Sequence, residues 1–114
     1  MATIKEDYCS REVYKLLIEK GFDGDIHTTY DKEGYTQPSI TLQMAMKWLR
    51  EVYGLHISLE PCYDYDSMHV VFLAFVQNVA DVHEFMDGRK NVASYPNAEK
   101  SCELAIKYCL ENLI

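Results

Sequence analysis

The sequence is an acidic chain of 114 residues, of which 48% are hydrophobic, 25% charged and 12% aromatic. This composition excludes a disordered chain, and the length suits one domain, which we place over residues 1–114. Eighteen acidic residues against eleven basic ones give a formal charge of −7, so we expect no nucleic-acid partner, because phosphate binding needs basic surface.

The first predicted elements are a helix and a hairpin. Apolar residues recur at a spacing of about 3.6 residues up to residue 20, with Ser10 or Asp7 as the N-cap and Gly21 as the stop. Residues 25–30 and 35–37 are typical of two short strands around a turn at 31–34. Pro38 is expected to close this hairpin, because proline has no N–H to donate.

Residues 39–60 predict a helix followed directly by a strand. Thr41 is a good N-cap, Val52 extends the apolar stripe of the helix, and Gly54 ends it. The strand covers 56–60 and is expected to stop at Pro61. The side chains expected to pack against one another in this unit are Trp48, Leu49, Ile57 and Leu59.

The second half begins with a loop at 61–67 and a strand at 68–77 that is apolar on both faces, which favours a central position in a sheet. Residues 78–88 fit either a short helix between Asn78 and Gly88 or a bulged strand, and we favour the helix. Asn97 is expected to cap a last helix over 98–112. Its apolar face consists of Ala98, Cys102, Ala105, Ile106, Cys109 and Leu113.

Together these elements predict an α+β fold. We expect an antiparallel sheet of about four strands with three main helices on one face, in the order α-β-β-α-β-β-(α)-α. The longest apolar run, VVFLAFV at 70–76, is too short to span a bilayer, and the first 14 residues lack the apolar region of a signal peptide. We therefore expect a cytoplasmic protein with reduced thiols and no membrane contact.

Three blocks of the sequence resemble a known family. They are LLIEKGFD near the start, WLREVYGLHISLE in the middle and CELAIKYCLENLI at the end. The resemblance around these blocks covers the two ends and the middle, about half of the chain. They are similar to blocks in small uncharacterised proteins from gut Bacteroidales genomes and from their phages or mobile elements. The resemblance implies an α+β fold and a bacterial or phage-derived intracellular protein, and it implies no activity.

The histidines and aspartates offer one candidate metal site. His56 and His69 lie on neighbouring predicted strands and could meet, with Asp64 or Asp66 as a further ligand, in a metal-dependent enzyme. The four histidines form no close pair in sequence, and the segment YDYDS at 63–67 lacks the glycine and distant glutamate of a calcium loop. We therefore expect no metal and no cofactor.

The sequence also contains no recognisable catalytic motif. It has no glycine-rich phosphate loop, no nucleophile elbow and no His-Glu-x-x-His segment, so we assign no catalytic residue. The cysteines show no Cys-x-x-Cys spacing. Cys102 and Cys109 fall on an apolar helix face and suit buried positions, whereas Cys9 and Cys62 lie near element ends and are candidate reactive thiols.

Tyrosine is the residue type in excess, with nine copies. Tyrosine is favoured at interfaces, because its ring is apolar and its hydroxyl is polar. Six of the nine fall at predicted strand ends and loops: Tyr30, Tyr35, Tyr53, Tyr63, Tyr65 and Tyr95. We take Tyr30, Tyr35, Tyr63 and Tyr65 as a candidate binding surface; the alternative is that the tyrosines border a small core.

These observations favour a non-enzymatic interaction or accessory protein that binds another protein or a second copy of itself. Two alternatives follow from other features of the sequence. One is the metal-dependent enzyme described above. The other is an acidic inhibitor that mimics nucleic acid, which would require the acidic residues to gather on one face.

Overall fold

The computed structural model describes residues 7–30, 33–81, 83 and 88–114. Over these ranges the fold is α+β, as predicted, with three helices and two antiparallel sheets in the order α-β-β-α-β-β-β-α. The helices are α1 (Arg11–Glu19), α2 (Leu42–Tyr53) and α3 (Ala98–Asn112). The strands are β1 (His27–Tyr30), β2 (Thr36–Ser39), β3 (Leu55–Asp64), β4 (His69–Asn78) and β5 (Lys90–Tyr95).

The prediction of about four strands in one sheet is not confirmed. Strands β1 and β2 form a separate two-stranded sheet, and the second sheet has the order β3-β4-β5. The small sheet lies beside the start of α1, where Arg11 donates to the carbonyl oxygen of Pro38 at 3.3 Å and the rings of Tyr8 and His27 meet at 5.9 Å. The third strand of the larger sheet, β5, comes from a segment for which the sequence predicts no strand.

Side chains cap the N-terminus of each helix, as predicted. The cap residue accepts a hydrogen bond from the backbone N–H three residues later, which satisfies one of the free amides of the first turn. These distances are 3.3 Å from Val13 N to Ser10 Oγ, 3.1 Å from Met44 N to Thr41 Oγ1 and 2.9 Å from Lys100 N to Asn97 Oδ1. After α1 the amide of Phe22 reaches the carbonyl of Leu17 at 2.9 Å, which is the Schellman ending that Gly21 predicts.

Two prolines lie inside strands, where the sequence predicts strand ends. Pro38 pairs with Thr28 within β2, and Pro61 pairs with Phe72 within β3, which continues to Asp64. Both prolines are tolerated for the same reason. Among the described strands, β2 and β3 each have a neighbour on one side only, so the missing N–H can point away from the ladder.

The unit formed by α2 and β3 packs as predicted. Trp48, Leu49 and Ile57 are buried in the core, and Leu59 is partly buried against it. Val52 departs from the prediction, because its side chain is 55% exposed. The buried stripe of α2 instead starts earlier, with Leu42, Ala45, Trp48 and Leu49.

Helix α3 lies across all three strands of the larger sheet and also contacts α1 and α2. Its buried face includes Cys102 and Cys109, as predicted, but Leu113 follows the end of the helix and is exposed. Ser101 is fully buried near the start of α3. Its hydroxyl donates to the carbonyl of Phe72 at 2.8 Å and accepts from the amide of Tyr95 at 3.0 Å. These two bonds attach the start of α3 to β4 and β5.

Part of the predicted short helix over 78–88, residues 82 and 84–87, lies outside the described residues. Before them, Asn78 ends β4 and its side-chain oxygen accepts from the amides of Ala80 and Asp81, at 2.9 and 3.1 Å. None of the helices over the described ranges has both the length and the apolar character needed to cross a membrane.

Candidate binding surface

The hairpin of β3 and β4 extends beyond the rest of its sheet. Its register runs from the pair Leu55–Asn78 to the pair Asp64–His69, whereas β5 ends at Tyr95, opposite Phe72. Ten residues in each strand correspond to a length of about 33 Å. From the pair Phe72–Tyr95 towards the turn at 64–69, β3 and β4 continue as a two-stranded ribbon beyond the end of β5. The side chains at 61–63 and 69–70 of this ribbon are exposed.

The overall dimensions agree with an extended hairpin. The radius of gyration is 15.2 Å, and the principal extents are 45 × 37 × 27 Å. A compact domain of this length has an expected radius of gyration of about 13 Å. The excess indicates that part of the chain projects from the core.

Four apolar side chains gather at the end of this hairpin, and we call them the hairpin-end surface: Tyr63, Tyr65, Met68 and Val70, which are 43%, 81%, 66% and 49% exposed. Tyr63 and Val70 are directly paired across the strands and therefore share one face. The rings of Tyr63 and Tyr65 meet edge to face at 4.9 Å. The Tyr63 hydroxyl lies 3.7 Å from the sulfur of Met68, so the side chains form one contiguous patch.

The carboxylate of Asp64 holds the turn in shape. One oxygen accepts from the amide of Asp66 and the other from the hydroxyl of Ser67, each at 3.0 Å. The Ser67 hydroxyl and then the Asp66 amide hold the pKa of Asp64 below its ordinary value. These bonds favour the charged carboxylate, so they support the turn at neutral pH and are lost only as the pH falls through the lowered pKa.

Met68 adopts a backbone conformation that favours glycine. Its φ angle is 61°, and it is the one non-glycine residue with positive φ among the described residues. Its amide donates to the carbonyl of Asp64 at 2.8 Å and closes the turn. A left-handed conformation costs a non-glycine residue roughly 1–2 kcal/mol. The turn therefore displays a large apolar side chain where glycine would be easier to accommodate.

The structure divides the four predicted binding tyrosines between two hairpins. Tyr63 and Tyr65 belong to the hairpin-end surface. Tyr30 ends β1 and Tyr35 precedes β2, with exposed fractions of 73% and 72%. The predicted surface is therefore two pairs of tyrosines on two separate sheets.

Three other tyrosines, Tyr14, Tyr53 and Tyr95, border the core, which was the alternative explanation for the tyrosine excess. Tyr53 packs edge to face against Trp48 at 5.2 Å, and Tyr95 is partly buried beneath Lys100, whose ammonium lies 4.6 Å from the ring centre. Both explanations thus apply, each to different tyrosines.

The sequence did not predict Met68 and Val70 as members of the binding surface. The run at 68–77 is apolar on both faces and predicts a covered central strand, and β4 is indeed central between β3 and β5. Its first residues nevertheless lie past the end of β5, so Val70 is exposed. Only the pairing register, which the sequence does not show, would have identified them.

The strand register separates the two histidines proposed as metal ligands. His56 pairs with Gln77 at one end of the β3–β4 hairpin, and His69 pairs with Asp64 at the other end. Over the described ranges, no three His, Cys, Asp or Glu side chains are grouped so that they could hold a metal ion. The metal hypothesis built on His56 and His69 is therefore wrong.

The four cysteines differ sharply in accessibility. Cys9, Cys102 and Cys109 are buried, and burial raises the pKa of each thiol to about 12. They stay protonated at neutral pH and are poor nucleophiles. The prediction of Cys9 as a candidate reactive thiol is therefore wrong. Cys62 is exposed and stays a candidate.

This difference predicts the pattern of thiol labelling. In the folded protein a small aromatic disulfide reagent should modify Cys62 quickly and the three buried cysteines only after unfolding. The measurement is the absorbance of the released thiolate, first without and then with guanidinium chloride. Cys62→Ser should abolish the fast phase, and a second fast thiol would show that the core is open.

No family model, curated protein or solved structure matches the chain.

Proposed function

We propose that the protein is a non-enzymatic interaction module that binds another protein through the hairpin-end surface. The observation that carries the proposal is the contiguous, exposed patch of Tyr63, Tyr65, Met68 and Val70 on a ribbon past the end of β5. Tyrosine and methionine are enriched at protein interfaces. The turn formed by Asp64 orders the patch before binding, which lowers the entropy cost of association.

The size and shape of the patch favour a concave partner over a second copy of the chain. The four side chains expose an area on the order of 500 Å² together, whereas a standard interface buries about 800 Å² on each partner. Two projecting patches would cover little of each other. A groove that encloses the end of the hairpin also contacts the backbone and the flanking residues, and thereby reaches the usual area.

The proposal also includes the cellular compartment in which the protein acts. Four free cysteines, three of them buried, suit a reducing compartment such as a bacterial cytoplasm. We therefore place the protein in the cytoplasm of a bacterial or phage-infected cell, in line with the family that its sequence blocks resemble.

Photo-crosslinking tests the proposal. Benzoylphenylalanine is introduced at position 65 or, as the matched control, at position 30, where a tyrosine is similarly exposed on the other hairpin. After illumination of cells that make the protein, position 65 should yield a discrete crosslinked protein and position 30 should not. Equal yields at the two positions, or none at position 65, would contradict the proposal.

A second variant separates loss of binding from loss of folding. Met68→Gly removes the exposed side chain and suits the positive φ of the turn, so the free energy of unfolding should change by less than about 1 kcal/mol. The crosslink from position 65 should nevertheless weaken.

Light scattering on the wild-type protein at tens of micromolar tests whether a second copy of the chain occupies the hairpin-end surface instead. A dimer that dissociates in the Tyr65→Ser variant would show that it does.

A further inference from the structure

A cleft lies between the C-terminal half of α3 and the far end of the larger sheet, opposite the hairpin-end surface along β3 and β4. Its volume is about 400 Å³, within the range of about 300–1,000 Å³ that is usual for small-molecule sites. The described residues that line it are Leu55, Val76, Asn78, Lys90, Tyr108 and Leu113.

One side of the cleft is apolar. Leu55 and Val76 are buried at its base, at the start of β3 and near the end of β4, and the exposed side chain of Leu113 forms a wall. Such a surface favours a hydrocarbon group, because burying apolar area removes it from water.

The other side of the cleft carries hydrogen-bond donors. The Lys90 ammonium lies 2.6 Å from the Tyr108 hydroxyl and donates to it, so the hydroxyl proton of Tyr108 points elsewhere. The side-chain oxygen of Asn78 already accepts from two backbone amides, so the NH₂ group is the remaining polar end of this side chain. An ammonium, a hydroxyl and an amide NH₂ together suit an anionic acceptor.

Among the described residues that line the cleft, the charge has the opposite sign to the net charge of the whole chain. Lys90 is the one charged residue among the described lining residues, whereas the chain carries a formal charge of −7. Glu111, the acid closest to Tyr108 in the sequence of α3, is not among the described lining residues and lies 3.9 Å from Lys107. The neighbouring cation, Arg89, is paired with Glu60, so Lys90 is the cation that faces the cleft.

We propose that this cleft binds a small carboxylate with an apolar tail. The carboxylate accepts from Lys90, Tyr108 and Asn78, and the tail lies on Leu55, Val76 and Leu113. The site is independent of the hairpin-end surface, so each of the two proposals stands or fails alone.

Titration with octanoate, followed by amide NMR shifts, tests the site. Octanoate should bind in the millimolar range, because small flexible ligands gain little free energy per atom. The shifts should centre on residues 55, 76–78, 90, 108 and 113. Octylammonium, which has the same tail and the opposite charge, should bind at least tenfold more weakly, and acetate should not bind measurably.

The matched variants are Lys90→Met and Lys100→Met. Each removes an ammonium that lies over a tyrosine ring, at 5.0 Å from the centre of Tyr108 and at 4.6 Å from the centre of Tyr95. Lys90→Met should weaken octanoate binding about fivefold, and Lys100→Met should leave it unchanged. Tyr108→Phe, which keeps the ring, should weaken it about threefold and serves if Lys90→Met folds poorly.

Three results would overturn the site. The first is shifts centred elsewhere, including the hairpin-end surface. The second is equal affinity for octanoate and octylammonium, which would show that the tail alone binds. The third is unchanged octanoate affinity in both Lys90→Met and Tyr108→Phe.

Discussion

Replacing Trp48 by alanine should lower the free energy of unfolding by about 4 kcal/mol. The ring is buried and packs edge to face with Phe22 at 5.6 Å and with Tyr53 at 5.2 Å. Its Nε1 donates to the carboxylate of Asp23 at 3.1 Å, so truncation also removes a hydrogen bond. Urea unfolding followed by circular dichroism measures the change, because the only tryptophan fluorophore is lost.

Val52→Ala is the control for this prediction. Val52 lies one turn further along α2, and its side chain is largely exposed, so its truncation should cost less than about 0.5 kcal/mol. Similar losses for Trp48→Ala and Val52→Ala would mean that the side chain of Val52 is also buried, in contradiction to its exposure at the end of α2.

The second large effect is expected at Gly54, where α2 turns directly into β3. Its φ angle is 69°, and an added Cβ would lie 2.4 Å from the Cβ of Ala80. The conformation costs alanine roughly 1–2 kcal/mol, and relieving the overlap costs about 1–3 kcal/mol more. Gly54→Ala should therefore lower the free energy of unfolding by about 3 kcal/mol, measured by urea unfolding.

Two comparisons separate these costs. Gly34 also has positive φ, 87°, but an added Cβ would have no atom within 4 Å, so Gly34→Ala should cost only about 1 kcal/mol. Combining Gly54→Ala with Ala80→Gly removes the Cβ–Cβ overlap and should recover part of the lost stability, as a positive coupling between the two sites. Equal losses for Gly54→Ala and Gly34→Ala would contradict the close approach of residue 80.

The local structure was predictable where a single side chain decides it. Ser10, Thr41 and Asn97 each cap a helix through a bond to an amide three residues later, a contact that needs no distant partner. Gly54 ends α2 in the left-handed conformation for the same local reason. The α+β class follows from the order of such elements.

The strand pairing was less predictable, because it depends on distant residues. Pro61 would end a strand that has two neighbours, but β3 lies at the edge of its sheet as far as the described strands go. The pairing of β5 with β4 was not predictable either, because the apolar residues of 90–95 do not alternate strictly and the ladder has a register shift opposite Ala74 and Phe75.

The two candidate sites show the same division. Tyr63 and Tyr65 stand in a polar loop sequence, so their exposure was predictable from composition. Val70 looks like a core residue until the register places it past the end of β5. The cleft could not be predicted from the sequence, because Lys90 and Tyr108 lie on different elements and meet only when α3 packs on the sheet.

The most direct test of the hairpin-end surface is the affinity of the protein captured from position 65. Tyr65→Ser should weaken its binding by about 30-fold, the loss expected of an aromatic side chain at the centre of an interface, whereas Tyr30→Ser should change it less than about twofold. Isothermal titration calorimetry gives both dissociation constants. Unchanged affinity in Tyr65→Ser, or an equal loss in Tyr30→Ser, would contradict the account.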